Sequence, residues 1–117
     1  MPKNSSSKRG GSPVSEAQLL PHLLLAVTAC GGRAFRNQVG LYTLADGRRL
    51  ASGLCVGSSD LVGWTKDGRF LAVEAKSARG RLTHEQQSFL TAVRHSGGIT
   101  IVARCPQDVI NVLQKPL

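Results

Sequence analysis

The stretch Arg69-Phe70-Leu71-Ala72-Val73-Glu74-Ala75-Lys76 decides how this chain reads. It is an apolar run of strand length, interrupted by one carboxylate and ended by one ammonium. Strand side chains alternate between faces, so Phe70, Ala72, Glu74 and Lys76 share one side. A buried strand therefore presents an acid and an amine together at its end.

The segment just upstream, Asp60 to Thr65, reads as a partner strand, with a tight turn around Asp67-Gly68 between the two. Two turns are possible. A two-residue Asp67-Gly68 loop pairs Lys66 with Arg69 and sends Asp60 to the wrong face. A three-residue Lys66-Asp67-Gly68 loop, a type I turn closed by glycine in the left-handed position, pairs Trp64 with Phe70, Val62 with Ala72 and Asp60 with Glu74. The second register is the expected one, because it matches the aromatic pair and collects the charges. It sets two carboxylates opposite each other with Cβ atoms roughly 5 Å apart, an arrangement that repels. A cation belongs between them: either Lys76 or a divalent metal, whose preference for hard oxygen ligands fits Mg²⁺ or Mn²⁺.

Further along, Ser77-Ala78-Arg79-Gly80-Arg81 reads as a basic loop, with Arg79 and Arg81 placed to grip phosphates. Thr83 to Ser96 reads as a helix opened by a Thr83/Gln86 capping box and stopped by Gly97-Gly98. Ile99 to Arg104 reads as a strand, and Pro106 starts a last helix carrying Val109, Ile110 and Leu113. Toward the N-terminus, Ser15 to Cys30 has helical spacing and a Ser15/Gln18 capping box, with Pro21 predicting either a bend or a later start. Arg33 to Gln38 reads as a strand, and Val39 to Gly57 as loop-rich with a turn at Asp46-Gly47. The resulting order is α-β-β-β-α-β-α. Residues 1–13 read as a flexible basic arm and 14–117 as the single folded domain.

Composition narrows the partners. Fifteen Lys and Arg against seven Asp and Glu give a net charge of +8 in 117 residues, and the pI is about 10.3. That balance favours a polyanion, nucleic acid first. Hydrophobic content of 41% excludes a wholly disordered basic tail, and aromatic content of 4% argues against single-strand binding mainly by base stacking. Cys30, Cys55 and Cys105 form neither a zinc spacing nor an even disulfide set. The apolar run Leu19 to Ala29 is too short for a bilayer and lies too far in for a signal peptide, so an intracellular, cytoplasmic protein is expected. His22, His84 and His95 make no metal pair, and His84 reads as a solvated residue at a helix start. Cys55 is expected to be a buried small thiol, and Ser58 either touches a phosphate or forms a turn.

Taken together, Gly57-Ser58-Ser59-Asp60, Val73-Glu74-Ala75-Lys76, Gly80-Arg81-Leu82-Thr83-His84-Glu85-Gln86 and the upstream Arg36-Asn37 followed by Gly40 resemble a VRR-Nuc domain of the PD-(D/E)XK nuclease superfamily. The likeness is to the short stand-alone forms found in phages, and it runs from Ser15 to Leu113. Ser59 departs from the proline in the superfamily's name. The resemblance implies a restriction-endonuclease-like αβββαβ core, a central mixed sheet flanked by helices, and metal-dependent hydrolysis of DNA phosphodiesters. It also implies that Asp60, Glu74 and the Ala75 carbonyl bind Mg²⁺ or Mn²⁺, and that Glu16 completes the metal shell. Lys76 would orient water or steady charge on the phosphate, and Gln86 would steady the site. Arg36, Arg79 and Arg81, with Arg48 and Arg49, would hold the DNA backbone without reading bases. Stand-alone members resemble Holliday-junction resolvases in forming homodimers. The apolar Leu41, Tyr42, Leu44, Leu50 and Leu54 are read either as that interface or as packing under the domain. The competing class is a non-catalytic nucleic-acid-binding module that kept the fold.

Overall fold

In a computed structural model, described over residues 14–114, the chain runs α1 (Glu16–Ala29), β1 (Arg33–Arg36), β2 (Gly40–Thr43), β3 (Arg49–Ser52), β4 (Leu61–Trp64), β5 (Phe70–Ala75), α2 (His84–His95), β6 (Ile99–Ala103) and α3 (Pro106–Leu113). The basic arm read at residues 1–13 lies outside the described residues. Strands β1, β4, β5 and β6 form one mixed sheet in that order, antiparallel except for the parallel β5–β6 pair. The parallel pair needs a crossover, and α2 supplies it.

The β4–β5 hairpin adopts the expected three-residue turn. Trp64 pairs with Phe70 and Val62 with Ala72. Thr65 N–H donates to the Arg69 carbonyl at 2.8 Å, and Gly68 sits at φ 84°. Only glycine takes that conformation without the cost of Cβ crowding.

Alternation along β5 divides the core. Leu71, Val73 and Ala75 point to the side of α1 and α3, where they bury with Leu23, Val27, Leu61 and Val109. Ala72 points the other way, against Leu90 and Val93 of α2. Because Leu71, Ala72, Val73, Glu74 and Ala75 are all buried, β5 is the centre of the three layers.

Helix α1 begins at Glu16 with the Ser15/Gln18 box closed in both directions, so the later start is excluded. Pro21 lies inside the helix on an exposed position, and the buried stripe Leu19, Leu23, Ala26 and Val27 carries the helix through it.

Two expectations are corrected. The stretch read as loop-rich contains a β2–β3 hairpin, with Gly40 opposite Ser52 and Thr43 opposite Arg49, turning at Asp46-Gly47. Its side chains are mostly exposed, so no buried-face periodicity marks the strands in the sequence. Leu41, Tyr42, Leu44, Leu50 and Leu54 are between 37% and 57% exposed, which excludes packing beneath the domain. Cys55 is exposed rather than buried, because it lies on the outward loop after β3.

Gly57, on the same loop, has φ 86°, and a Cβ there would stand 2.6 Å from Glu85 Cβ and 2.7 Å from its carbonyl oxygen. This close approach seats the first turn of α2 against the entry to β4. Gly68→Ala meets only the φ penalty, about 1–2 kcal/mol, since nothing lies near its Cβ position. Gly57→Ala adds backbone overpacking of about 1–3 kcal/mol. Urea unfolding should therefore show a clearly lower midpoint for Gly57→Ala than for Gly68→Ala, with m unchanged.

Candidate active site

Asp60 immediately precedes β4, and Glu74 is the fifth residue of β5. Continuing the β4–β5 register places them opposite each other on the α2 side of the sheet. Asp60 Oδ2 accepts the Ala75 N–H at 2.8 Å, so its carboxylate takes the place of a strand partner where β4 begins. A strand residue's N–H and C=O point to the same edge, which turns the Ala75 carbonyl toward Asp60 as well.

Glu74 is only 3% exposed. Its Oε2 accepts from Gln86 Nε2 at 3.0 Å and lies 4.0 Å from Lys76 Nζ, itself on a buried side chain. Its Oε1 is buried without a hydrogen-bond partner. Burial above all, and then the Asp60 charge and a hydrogen bond with Asp60, push the Glu74 carboxyl up to about 8, against the downward pull of Lys76. Glu16 contributes a weaker upward push. Near neutral pH the metal-free pair therefore holds a proton that a cation would displace.

Gln86 has two jobs. Its Oε1 accepts the Thr83 N–H at 2.9 Å to close the helix cap, while its Nε2 reaches Glu74. One amide thus ties the start of α2 to the site.

A cleft of about 430 Å³ opens over these groups, walled by Asp60, Glu74, Gln86, Arg36, Asn37 and Tyr42, among others. Arg36 lines the cleft. Arg79 and Arg81 stand exposed on the loop after Lys76, outside the cleft wall. Lys76 lies behind Glu74 and likewise does not line it. Glu16 Oε2 accepts the Ser77 N–H at 3.3 Å, so the structure seats this acid at the exit of β5. His84 is exposed at the start of α2, and Ser58 Oγ donates to the Cys55 carbonyl at 2.6 Å, which makes it a turn residue.

Asn37 belongs to the site's support but had been noted only as part of a resemblance. Its Nδ2 donates to Ser58 Oγ and to the Ser59 carbonyl, both at 2.8 Å, and its Oδ1 accepts the Leu54 N–H at 3.1 Å. Its own N–H donates to the Asp60 carbonyl at 2.8 Å. It clamps the loop that delivers Asp60. The one signal in the sequence is a polar amide directly after a strand.

Among the described residues, no three His, Cys, Asp or Glu side chains gather closely enough to cage a metal unaided. A two-carboxylate site nevertheless fits one. The donors are hard oxygens, Glu74 Oε1 lacks a partner, and Mg²⁺ commonly takes one or two carboxylates and completes its shell with water and substrate phosphate.

A carboxyl pair beside a lysine, at the end of a mixed sheet held between helices, defines a restriction-endonuclease-like domain. The VRR-NUC domain pattern matches residues 14–106, and the protein belongs to that family, which implies a nuclease-family function acting on nucleic acid. No curated protein matches the chain. Among the described residues, no helix is long and apolar enough to cross a membrane.

The raised Glu74 pKa makes stability depend on pH. The folded protein keeps a proton on Glu74 up to about 8, whereas an unfolded chain releases it near 4.5. The native state binds more protons within that window, so stability falls as pH rises through it. Thermal melts in a chelator at graded pH should show this fall, and Glu74→Gln, which cannot ionise, should show a flatter profile.

Proposed function

We propose that this chain is a divalent-metal-dependent, structure-selective DNA endonuclease. Its folded domain would span 14–117 behind a basic arm at 1–13. The observation that carries the reading is the buried Glu74 paired with half-buried Asp60 beside Lys76 on one sheet face, with an unpartnered Glu74 oxygen. A binding module has no use for clustered carboxylates facing phosphates, which repel them.

Asp60, Glu74 and the Ala75 carbonyl would hold Mg²⁺ or Mn²⁺, with Glu16 at the edge of the set. The bound ion would supply an activated water and polarise the phosphate. Gln86 would hold the Glu74 carboxylate through Oε2 and leave Oε1 free to bind the ion. Lys76, beside Glu74 and off the cleft wall, would orient the attacking water or steady the charge that builds on the phosphate. Arg36 contacts the DNA backbone at the cleft, and Arg79 and Arg81 extend the basic surface beyond it. These contacts neutralise phosphates without reading base edges, so selectivity rests on DNA shape.

The exposed apolar side chains of the β2–β3 hairpin support a homodimer through that element. Two sites so paired suit symmetric cuts in a branched substrate such as a Holliday junction.

Purified protein with Mn²⁺ on branched, nicked and linear DNAs, with products mapped, tests the reading. Branched DNA should be cut in symmetric pairs, and a chelator should stop the reaction. Glu74→Ala and Lys76→Ala should each abolish cleavage while DNA affinity stays near wild type. Equal cleavage by wild type and Glu74→Ala would leave only the binding-module reading. In a separate binding series, removing the charge at Arg79 or Arg81 should weaken affinity similarly for every sequence. Each loss should also lower the slope of log affinity against log salt by about 1.

A further inference from the structure

The sheet face that carries Glu74 is only half covered. Helix α2 lies over β5 and β6, while β1 and β4 have no helix above them on that side. In the observed register Arg33 pairs with Trp64, Phe35 with Val62, and Trp64 with Phe70. Arg33, Phe35, Trp64 and Phe70 therefore share one side of the sheet with Glu74, and Phe35 and Trp64 stand on its uncovered half. Phe35 and Trp64 are each 50% exposed and Phe70 45%, and the Phe35 and Trp64 ring centroids lie 5.7 Å apart. Past Phe70 the strip continues into a shallow groove of about 480 Å³ bordered by Arg69, Phe89 and Val93.

Half-exposed aromatic rings on an open sheet cost solvation unless something covers them. A second copy here would meet the same cationic face, in a chain of net charge +8. An anionic partner with flat apolar surfaces suits both the rings and the cations.

We propose that Phe35, Trp64 and Phe70 form a stacking platform for unpaired bases flanking the cleavage point, with Arg33 and Arg69 taking the adjacent phosphates. The inference rests on the nuclease reading and names its substrate class: DNA with a single-stranded segment beside the scissile phosphate. Trp64 and Asp60 lie four residues apart on one strand line, roughly 14 Å at strand rise, so a strand leaving the carboxylates passes over Phe35 and Trp64 within a few nucleotides. Stacking on rings tolerates any base, which agrees with the absence of a base-reading helix. The low aromatic content pointed away from stacking, but three of the five aromatic side chains lie together on this one face.

Trp64 is the only tryptophan, so its fluorescence reports on the platform directly. The full chain, in chelator so that no cleavage occurs, is titrated with a duplex bearing a short oligothymidine tail and with the same duplex blunt. Fluorescence anisotropy of labelled DNA reports binding in parallel. The tailed duplex should quench Trp64 emission and the blunt duplex should quench it far less. Trp64→Ala should weaken tailed-duplex binding by about tenfold and leave blunt-duplex binding unchanged, while Trp64→Phe keeps most of the affinity.

Tailed-duplex binding without quenching would overturn the proposal. So would equal losses on both duplexes, a failure to bind the tailed duplex, or conversion of a sedimenting dimer to a monomer by Trp64→Ala, which would make this face a contact between copies. The readout uses no metal, so failure to cut DNA with Mn²⁺ would remove the nuclease reading and leave the quenching result to be judged by itself.

Discussion

Two carboxyl groups forced together across the β4–β5 pair are the constraint around which the rest of the domain is arranged. Asp60 and Glu74 repel, and burial deepens the conflict by removing the water that would screen them. The protein keeps the pair by giving one oxygen of each carboxyl a specific neighbour. Asp60 takes the Ala75 amide, while Glu74 Oε2 takes the Gln86 amide and faces the Lys76 ammonium. Glu74 Oε1 is buried without such a neighbour. A core built for stability alone would not retain it, because an unpaired buried acceptor costs about 1–3 kcal/mol.

The supports of the site come from four separate parts of the chain, and each is also a structural device. Gln86 closes the capping box of α2 with one end of its amide and holds Glu74 with the other. Asn37 follows β1 and clamps the loop before Asp60. Gly57 admits the first turn of α2 to that same loop. Glu16 opens α1 and accepts the Ser77 amide at the exit of β5. Because the fold's own caps and turns aim the reactive groups, site geometry and domain stability are coupled. A change in a cap or a glycine reaches the chemistry without touching a reactive group.

On the proposed reading, the cleft and the platform would divide the basic character of the chain between two tasks. Arg36 stands at the cleft, where charge compensation matters, and Arg33 and Arg69 stand beside rings farther along the same face. The sheet is asymmetric for a topological reason. Its single helix on that face is the β5–β6 crossover, which covers the strands it connects and leaves β1 and β4 open.

Local patterns in the sequence were enough to place the three helices, the four strands of the main sheet, the three-residue turn at Gly68 and the Asp60–Glu74 register. Caps, alternation and turn chemistry act over a few residues and so are written in order along the chain. The β2–β3 hairpin escaped because its strands bury no face, and an exposed strand carries no alternation to read. Asn37 as a clamp, the second bond of Gln86, the seat of Glu16 and the outward position of Cys55 were decided by tertiary structure alone. So was the gathering of Phe35, Trp64 and Phe70 on one side of the sheet. Each depends on which distant segments are brought side by side, and on where the single crossover helix fails to reach.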